Sequence, residues 1–355
     1  MTESLPAIQP ERAALIQKWA ERHGIDTAHR LAQAEDLADA VRREITAENT
    51  TDTYAKAWRV WQRFTSSQKF PLLEGSRGAL VAYVAWMLRQ GQTNGTGYAP
   101  SSASTLLAGT VVELRRRGVT VSRDDQAEAR TALEGLAVKL LKDKSEKRRG
   151  RGKAATAQVP DLYKVVRACP DNLAGARDKA LILTGFHYAA RAQDPAGLLA
   201  QDVSLHARGL VVSILTGKTK HSVRDAKIRY QRDPEICPVE AWKSYRARLA
   251  AEADPRWSAP DAPAFVGINR WDRVTGGMVP DSVTRAIKRI SVRASVELAW
   301  TGHSLRIGHA STARKQGKDA VAIADQGGWA RHSRSMNGYF QIEDGWDDNS
   351  TADLT

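Results

Sequence analysis

Cysteine is nearly absent from this chain. Cys169 and Cys237 are the two in 355 residues, far apart and in no metal-ligand spacing. A disulfide framework is excluded, and the pattern fits a reducing cytoplasm. Long apolar runs are also missing: none approaches the ~20 residues that a membrane-spanning helix requires. The opening MTESLPAIQP has neither the basic nor the apolar region of a secretory signal. No HExxH, no CxxC and no GxxxxGK[ST] loop occurs, so neither a metal nor ATP is implied. Acidic residues are in deficit, 40 against 53 Lys plus Arg. The resulting charge of +13 and pI near 9.8 favour a polyanionic partner, nucleic acid first and an anionic membrane a distant second. What remains, 42% hydrophobic and 26% charged residues, is an ordinary soluble composition, long enough for two or three domains with real cores.

Residues 1–45 are polar and helix-prone, with Leu15, Trp19 and Leu37 at loose helical spacing, and read as a helical N-terminal extension. Residues 46–141 read as a basic, all-helical domain. Thr51 or Asp52 can cap a helix whose Tyr54, Trp58 and Trp61 form an apolar stripe. Lys56, Arg59, Gln62 and Arg63 fall on the opposite, basic face, which is either a solvated surface or a binding one. Pro71 and Gly75 break the chain before an apolar helix from Ala79 to Leu88. After the turn-rich GQTNGTGYAPSS, a helix from Ser101 to Arg117 has a polar start (Ser101, Ser102, Ser104, Thr105) and a basic end. The helix dipole and Gly118 suffice to explain that end. A last helix covers Asp124 to Leu141. Residues 142–158, with Arg148 and Arg149, are charged, lack apolar period and form a basic linker, either a plain spacer or a phosphate contact.

From Val159 a second domain extends to residue 340. Val159–Ala168 and Leu173–Ala189 read as helices. In GFHYAARAQDPAGLL, Arg191 and Asp194 stand three apart on one helical face, and a buried Arg would find its partner in Asp194. The pattern then turns β-branched: Gly209–Leu215 and Ser222–Tyr230 form a hairpin with Lys218 and Lys220 at its tip. Helices resume at Pro238, pause in a Pro- and Asp-rich loop, and continue from Asp281 to Leu298. Residues 341–355 are a short acidic tail with Trp346.

The chemistry concentrates between Thr301 and Tyr339, TGHSLRIGHASTARKQGKDAVAIADQGGWARHSRSMNGY. If a helix starts at Ser304, His303 caps its first turn and Arg306 lies one turn on, both at an end whose N–H groups favour an anion. A base and a fixed cation there suggest phosphate chemistry, and Tyr339 is a nucleophile that could be brought to that phosphate. Taken singly, a His, an Arg and a C-terminal Tyr are most often structural. The set carries the argument.

The order Arg191, hairpin Lys, His303-x-x-Arg306, Trp329, Tyr339 resembles that of the tyrosine site-specific recombinases (phage integrase family). GHSLRIGHASTARKQG followed by QGGW is most similar to Cre-type members. The resemblance covers about residues 45–345. It implies a mainly α fold with a small β-sheet (α+β): a SAM-like helical core-binding domain and a mixed catalytic domain closing as a C-shaped clamp on DNA. It implies that Arg191 and Arg306 grip the scissile phosphate and that Lys220, or alternatively Lys218, protonates the leaving 5′ oxygen. His303 would carry a proton or donate a hydrogen bond, and Trp329 would position, since an indole N–H donates but does not transfer a proton. Asp194 would orient its neighbours. Tyr339 would attack phosphorus, giving a 3′-phosphotyrosine and a free 5′-hydroxyl. No cofactor is needed, because the phosphotyrosine conserves the energy of the phosphodiester.

The resemblance further implies a double-stranded DNA partner with inverted-repeat sites, and a homotetramer on two sites that is monomeric or weakly associated when free. By position, DNA contacts fall to Lys56, Arg59, Ser101, Ser102 and Thr105, with Arg148 and Arg149 of the linker on phosphate. The protein would act on the nucleoid in the cytoplasm. One departure stands out: ten residues separate Trp329 from Tyr339, where the family usually has nine. Either the intervening loop carries an extra residue or another residue fills the Trp position; His332 fits less well. A telomere resolvase, a type IB topoisomerase, a DNA-binding regulator without catalysis, or an unrelated basic enzyme are the alternatives.

Overall fold

The computed structural model describes residues 10–45, 48–143, 154–216 and 222–340. The linker arginines Arg148 and Arg149, the hairpin-tip Lys218 and Lys220, and the acidic tail with Trp346 lie outside the described residues. The chain divides into two compact units, Met1–Gly152 and Lys153–Thr355.

The first unit is helical throughout its described residues: α1 (Pro10–His23), α2 (Ile25–Ile45), α3 (Glu48–Gln68), α4 (Arg77–Gln90), α5 (Pro100–Arg116) and α6 (Arg123–Lys142). α1 and α2 pack together across Gly24, whose φ of +85° suits glycine. The core lies between α3, α4, α5 and α6, centred on Trp61, Phe64, Tyr83, Met87 and Leu107. Trp61 meets Tyr83 edge-on at 5.0 Å and donates its indole N–H to the Leu72 carbonyl at 2.8 Å, so its one polar atom is satisfied. α3 and α5 approach closely at Gly109, where a Cβ would lie 2.7 Å from the Ala57 methyl.

Three expectations need correction here. α3 begins a turn before Thr51, so neither Thr51 nor Asp52 is its cap. Arg63 is not on the solvated face: it donates to the Gly91 carbonyl and the Tyr98 hydroxyl, tying α3 to the loop after α4. The arginines ending α5 do more than meet a dipole. Arg116 and Arg117 both pair with the buried Glu113 and lie over the rings of Tyr54 and Trp58, at 5.0 and 3.8 Å.

The second unit runs α7 (Val159–Arg167), α8 (Leu173–His187), α9 (Gln193–Gly197), β1 (Val203–His206), β2 (Gly209–Thr216), β3 (Ser222–Arg229), α10 (Pro238–Glu252), β4 (Val266–Ile268), β5 (Val274–Gly277), α11 (Pro280–Arg293), α12 (Ser304–Lys315), α13 (Ala320–Gly327) and α14 (Arg334–Phe340). β1, β2 and β3 form an antiparallel sheet in that order. Its inner face presents Leu210, Val212 and Ile214, with Ile228, Ala226 and Arg224 as their cross-strand partners. α8 is buried along most of its length, among α10, α11 and α12. Around it lie Trp242, Tyr245, Phe265, Ile287, Trp300 and Leu305.

Structure and sequence differ at four places. β1 joins the hairpin as a third strand, and β4–β5 form a second hairpin inside the stretch expected to be an irregular pause. At three or four residues each, these strands are too short to show an alternation. α11 ends at Arg293 rather than Leu298, because Ser295 turns left-handed at φ +53° and lets Val296 and Trp300 return to the core. α8 stops at His187, and Ala189 takes a φ of +56°. Arg191 is therefore in an irregular link and exposed, not on a buried helical face.

Candidate active site

α12 starts where Thr301 and Ser304 lock a turn: the Thr301 N–H donates to Ser304 Oγ at 2.9 Å, and Ser304 N–H to the Thr301 carbonyl at 3.0 Å. Ser304 is fully buried, so the helix entry is fixed. His303 occupies the N-cap position but its ring makes no capping bond. The ring is exposed and turned toward α14, a correction to its expected capping role. The segment leading from residue 154 braces this helix: Ala157 N–H donates to the Ser304 carbonyl, and its own carbonyl lies 2.1 Å from where a Gly308 Cβ would be.

Arg306, one turn inside α12, is 1% exposed. Its Nη1 donates to two carbonyls, Ala189 at 2.6 Å and Gly327 at 2.7 Å. The left-handed Ala189 is what presents the first of these, and the helix end before the left-handed Gly328 (φ +63°) presents the second. The guanidinium carbon lies 3.6 Å from the centre of the Trp329 ring. Nη2 is buried and has no hydrogen-bond partner among the described residues. A buried donor without an acceptor is costly, and a ligand oxygen would satisfy it. Burial and then repulsion from Arg191 push the guanidinium pKa down to about 9, which leaves it cationic at neutral pH.

Tyr339 is half-buried on α14, which docks on α12 through Ser311 Oγ donating to the Tyr339 carbonyl at 3.1 Å. Its hydroxyl lies 3.2 Å from His303 Nε2. Partial burial, followed by the Arg306 and Arg191 cations, lowers the His303 pKa, so the imidazole is neutral at neutral pH. With its proton on Nδ1, such a ring accepts from the phenol through Nε2. Trp329 and Tyr339 face each other at 6.0 Å, over a small cluster of Ala189, Ala310, Ile323 and Met336. The ten-residue interval from Trp329 to Tyr339 includes the turn between α13 and α14, where exposed His332 adopts a φ of +60°.

His303, Arg306, Trp329 and Tyr339 thus converge. Arg191 and Asp194 lie close enough for their charges to act on Arg306. Their mutual contact is not the expected ion pair: Asp194 Oδ2 accepts from the Arg191 backbone N–H at 2.8 Å, at the start of α9, and among the described residues no ion pair engages the Arg191 guanidinium. The first unit carries Lys56 and Arg59 exposed on α3, and Ser101, Ser102 and Thr105 exposed on the first turns of α5. Sequence reasoning missed Arg224 on β3. Its Nη1 donates to the Gln326 carbonyl next to Gly327, and its Nε is buried and unpartnered among the described residues. The available signal was an arginine in phase with the inward Ala226 and Ile228. Among the described residues no group of three or more His, Cys, Asp or Glu side chains could hold a metal, and no helix is long and apolar enough to cross a membrane.

Residues 155–345 match the phage integrase family. An integrase/recombinase XerD homologue of Selenomonas ruminantium is 27% identical over 207 residues, 56% of this chain; the alignment spans 58% of that relative's length. Among solved structures, the Tn1549 transposon integrase in complex with circular intermediate DNA superposes with a TM-score of 0.53 at 11% identity, over 95% of this chain and 96% of that one. A lambda integrase dimer bound to a COC′ core site gives 0.52 at 12% identity, over 92% and 85%. At such identities the likeness is one of fold: helices with small antiparallel sheets. The family match spans more than half of the chain and includes every converging side chain from Arg191 to Tyr339, and the chain belongs to the phage integrase family.

Proposed function

We propose that this protein is a site-specific tyrosine recombinase that cleaves and rejoins double-stranded DNA. The observation that carries this reading is the set around Arg306: a buried guanidinium with one donor unpartnered, and a tyrosine hydroxyl 3.2 Å from a neutral imidazole. The scissile phosphate sits with its non-bridging oxygens on Arg306 Nη2 and the free Arg191 guanidinium. Tyr339 gives its proton to His303 Nε2 as its oxygen bonds to phosphorus. The P–O5′ bond breaks, and Lys220 (or Lys218) protonates the departing oxygen. The product is a 3′-phosphotyrosine and a 5′-hydroxyl, and the reverse sequence with a new 5′-hydroxyl religates. Charge on the phosphoryl oxygens is stabilised by cations already in place, while Trp329 covers one face of Arg306 and transfers no proton. Asp194 orients the Arg191 link through its backbone N–H.

The remaining assignments belong to the same reading. The helical domain 46–141 and the catalytic domain 159–340, joined by the basic linker 142–158, each bind an inverted-repeat site. Lys56, Arg59, Ser101, Ser102 and Thr105 face DNA, and Arg148 and Arg149 meet phosphate. Four copies on two sites exchange strands through a Holliday junction, and the local GHSLRIG and QGGW sequences support a Cre-like subgroup. The structural relatives include a lambda integrase tetramer bound to a Holliday junction, TM-score 0.51 at 10% identity.

A nicked duplex bearing the protein's own site tests this. Wild type forms a covalent protein–DNA adduct and Tyr339→Phe forms none. Tight binding without an adduct by either protein points instead to a DNA-binding regulator. An adduct that persists in Tyr339→Phe removes Tyr339 as nucleophile.

A further inference from the structure

Arg224 has no place in the reaction just described, yet it is half-buried and hydrogen-bonded to the residue that precedes Gly327. It stands at an inward position of β3, opposite Ile214 and in phase with Ala226 and Ile228, where an apolar side chain would cost less. Burying a cation whose Nε finds no partner among the described residues is unfavourable in itself. Among the described residues its side chain makes one hydrogen bond, from Nη1 to the carbonyl of Gln326.

Gln326 is clamped from its other side as well. Its amide donates to the His187 carbonyl at 3.0 Å and the Lys227 carbonyl at 3.2 Å, so the end of α13 is tied to β3 by main chain and side chain together. The next carbonyl, Gly327, accepts from Arg306. The next residue, Gly328, lies against Arg224 so closely that a Cβ there would be 2.8 Å from Nε and 3.2 Å from Cδ. Then comes Trp329, whose ring covers Arg306. Four consecutive residues thus run from the Arg224 contact to the Arg306 contact. β3 itself starts at Ser222, directly after the segment that bears Lys218 and Lys220.

We propose that Arg224 is a positioning residue for strand cleavage, locking the Gln326–Trp329 turn to β3 and thereby setting where the Arg306 guanidinium and the Trp329 indole stand. This role rests on the phosphotyrosine reading above. Arg224 touches no reacting atom; it acts through the turn.

The test is single-turnover cleavage of the nicked site at saturating DNA, with site affinity measured by gel shift and folding by thermal melting. Arg224→Met and Arg224→Gln are measured in parallel, so that a fold defect in one leaves the other to decide. Both are expected to cleave roughly 10- to 100-fold more slowly, the scale on which small misplacements act, while affinity stays within about threefold. Arg224→Lys, which keeps a donor for the Gln326 carbonyl, recovers most of the rate. Combined with Trp329→Ala, the Arg224→Met loss is less than additive, because both act on one turn. Wild-type cleavage rates in the Met and Gln variants, a defect carried wholly by affinity, or strict additivity with Trp329→Ala each overturn the role. Absence of an adduct in wild type overturns the recombinase reading itself, and with it this role, whereas a wild-type adduct with normal rates in both variants overturns the role alone.

Discussion

The Trp329 indole lies face-on to the Arg306 guanidinium, with its centre 3.6 Å from the guanidinium carbon. Arg306 is thereby closed on one face by an aromatic ring and held at Nη1 by two carbonyls, with Nη2 left over. On the proposed reading the ring is the lid of a preorganised cation, and its face rather than its N–H is expected to carry the function. Trp329→Phe should retain a ring and cleave within about tenfold of wild type, while Trp329→Ala should lose roughly 100-fold and destabilise by about 3–5 kcal/mol. Denaturant unfolding and single-turnover cleavage measure the two effects. Equal activity losses in Phe and Ala variants would assign the role to the indole N–H.

Gly327 is the position where this lid is most easily displaced. A Cβ there would come 1.9 Å from a Trp329 ring carbon, so the ring has to move if any side chain is added. Gly327→Ala should therefore match Trp329→Ala in cleavage, although it removes no functional group. The loss expected is on the order of 100-fold, as for other misplacements of about an ångström. Near-normal cleavage by Gly327→Ala would mean that the ring position is not critical.

Much of this site was legible because its residues recur in a fixed order with local spacing: His303 and Arg306 one turn apart, the glycines before Trp329, and a tyrosine after them. The helices of the first unit were legible from their apolar stripes. What escaped has a common cause, which is that its partners are distant in sequence. Arg224 meets Gln326 across 102 positions, and Arg63 meets Gly91 and Tyr98 across 28 and 35. No period in a short window reveals such a pairing. Arg191 was misjudged because a helical period was extended past Ala189, whose left-handed backbone ends it. β1, β4 and β5 were too short to show a period of two.

The proposed nucleophile and base lie on one chain, since α14 docks on α12 through Ser311 and places Tyr339 against His303 of the same protomer. Cleavage is therefore expected in cis. Mixing Tyr339→Phe with Arg306→Ala should yield no more adduct than either variant alone. Recovery of adduct to a substantial fraction of wild type would show that the tyrosine is exchanged between protomers on DNA.

In the proposed mechanism the state of His303 sets the acid limb of the reaction. A neutral ring is needed to accept the phenol proton, and partial burial with two neighbouring arginines holds its pKa below the ordinary imidazole value. The cleavage rate should thus rise with pH through a midpoint below about 6.5 and be level above it. His303→Gln should lower the plateau by about 100-fold and abolish that limb. A wild-type midpoint above the ordinary imidazole value would contradict the electrostatics of the site.

A second titration concerns stability, and it lies behind the site rather than in it. His309, on α12, packs edge-on against Phe186 at 6.1 Å, and burial, followed by His187 and then Arg306, pushes its pKa down to about 4. His187 is lowered by burial as well. In the unfolded chain both rings take up protons near pH 6.5, so between that value and about 4 the unfolded state binds more protons than the folded one. The stabilisation is complete above about pH 6.5 and is lost progressively as pH falls to about 4, up to about 3 kcal/mol for His309. The surface carboxylates with lowered pKa values begin to lose theirs at the lower end of that window, Glu235 and Glu128 as pH falls through 4.5 and Asp233 through 3.8. Urea unfolding from pH 7 to 4 should therefore show a slope that His309→Leu flattens, with the steeper loss below pH 4 unchanged. A wild-type stability that stays level from pH 7 to 5 would mean that the two rings are already hydrated and protonated within the fold.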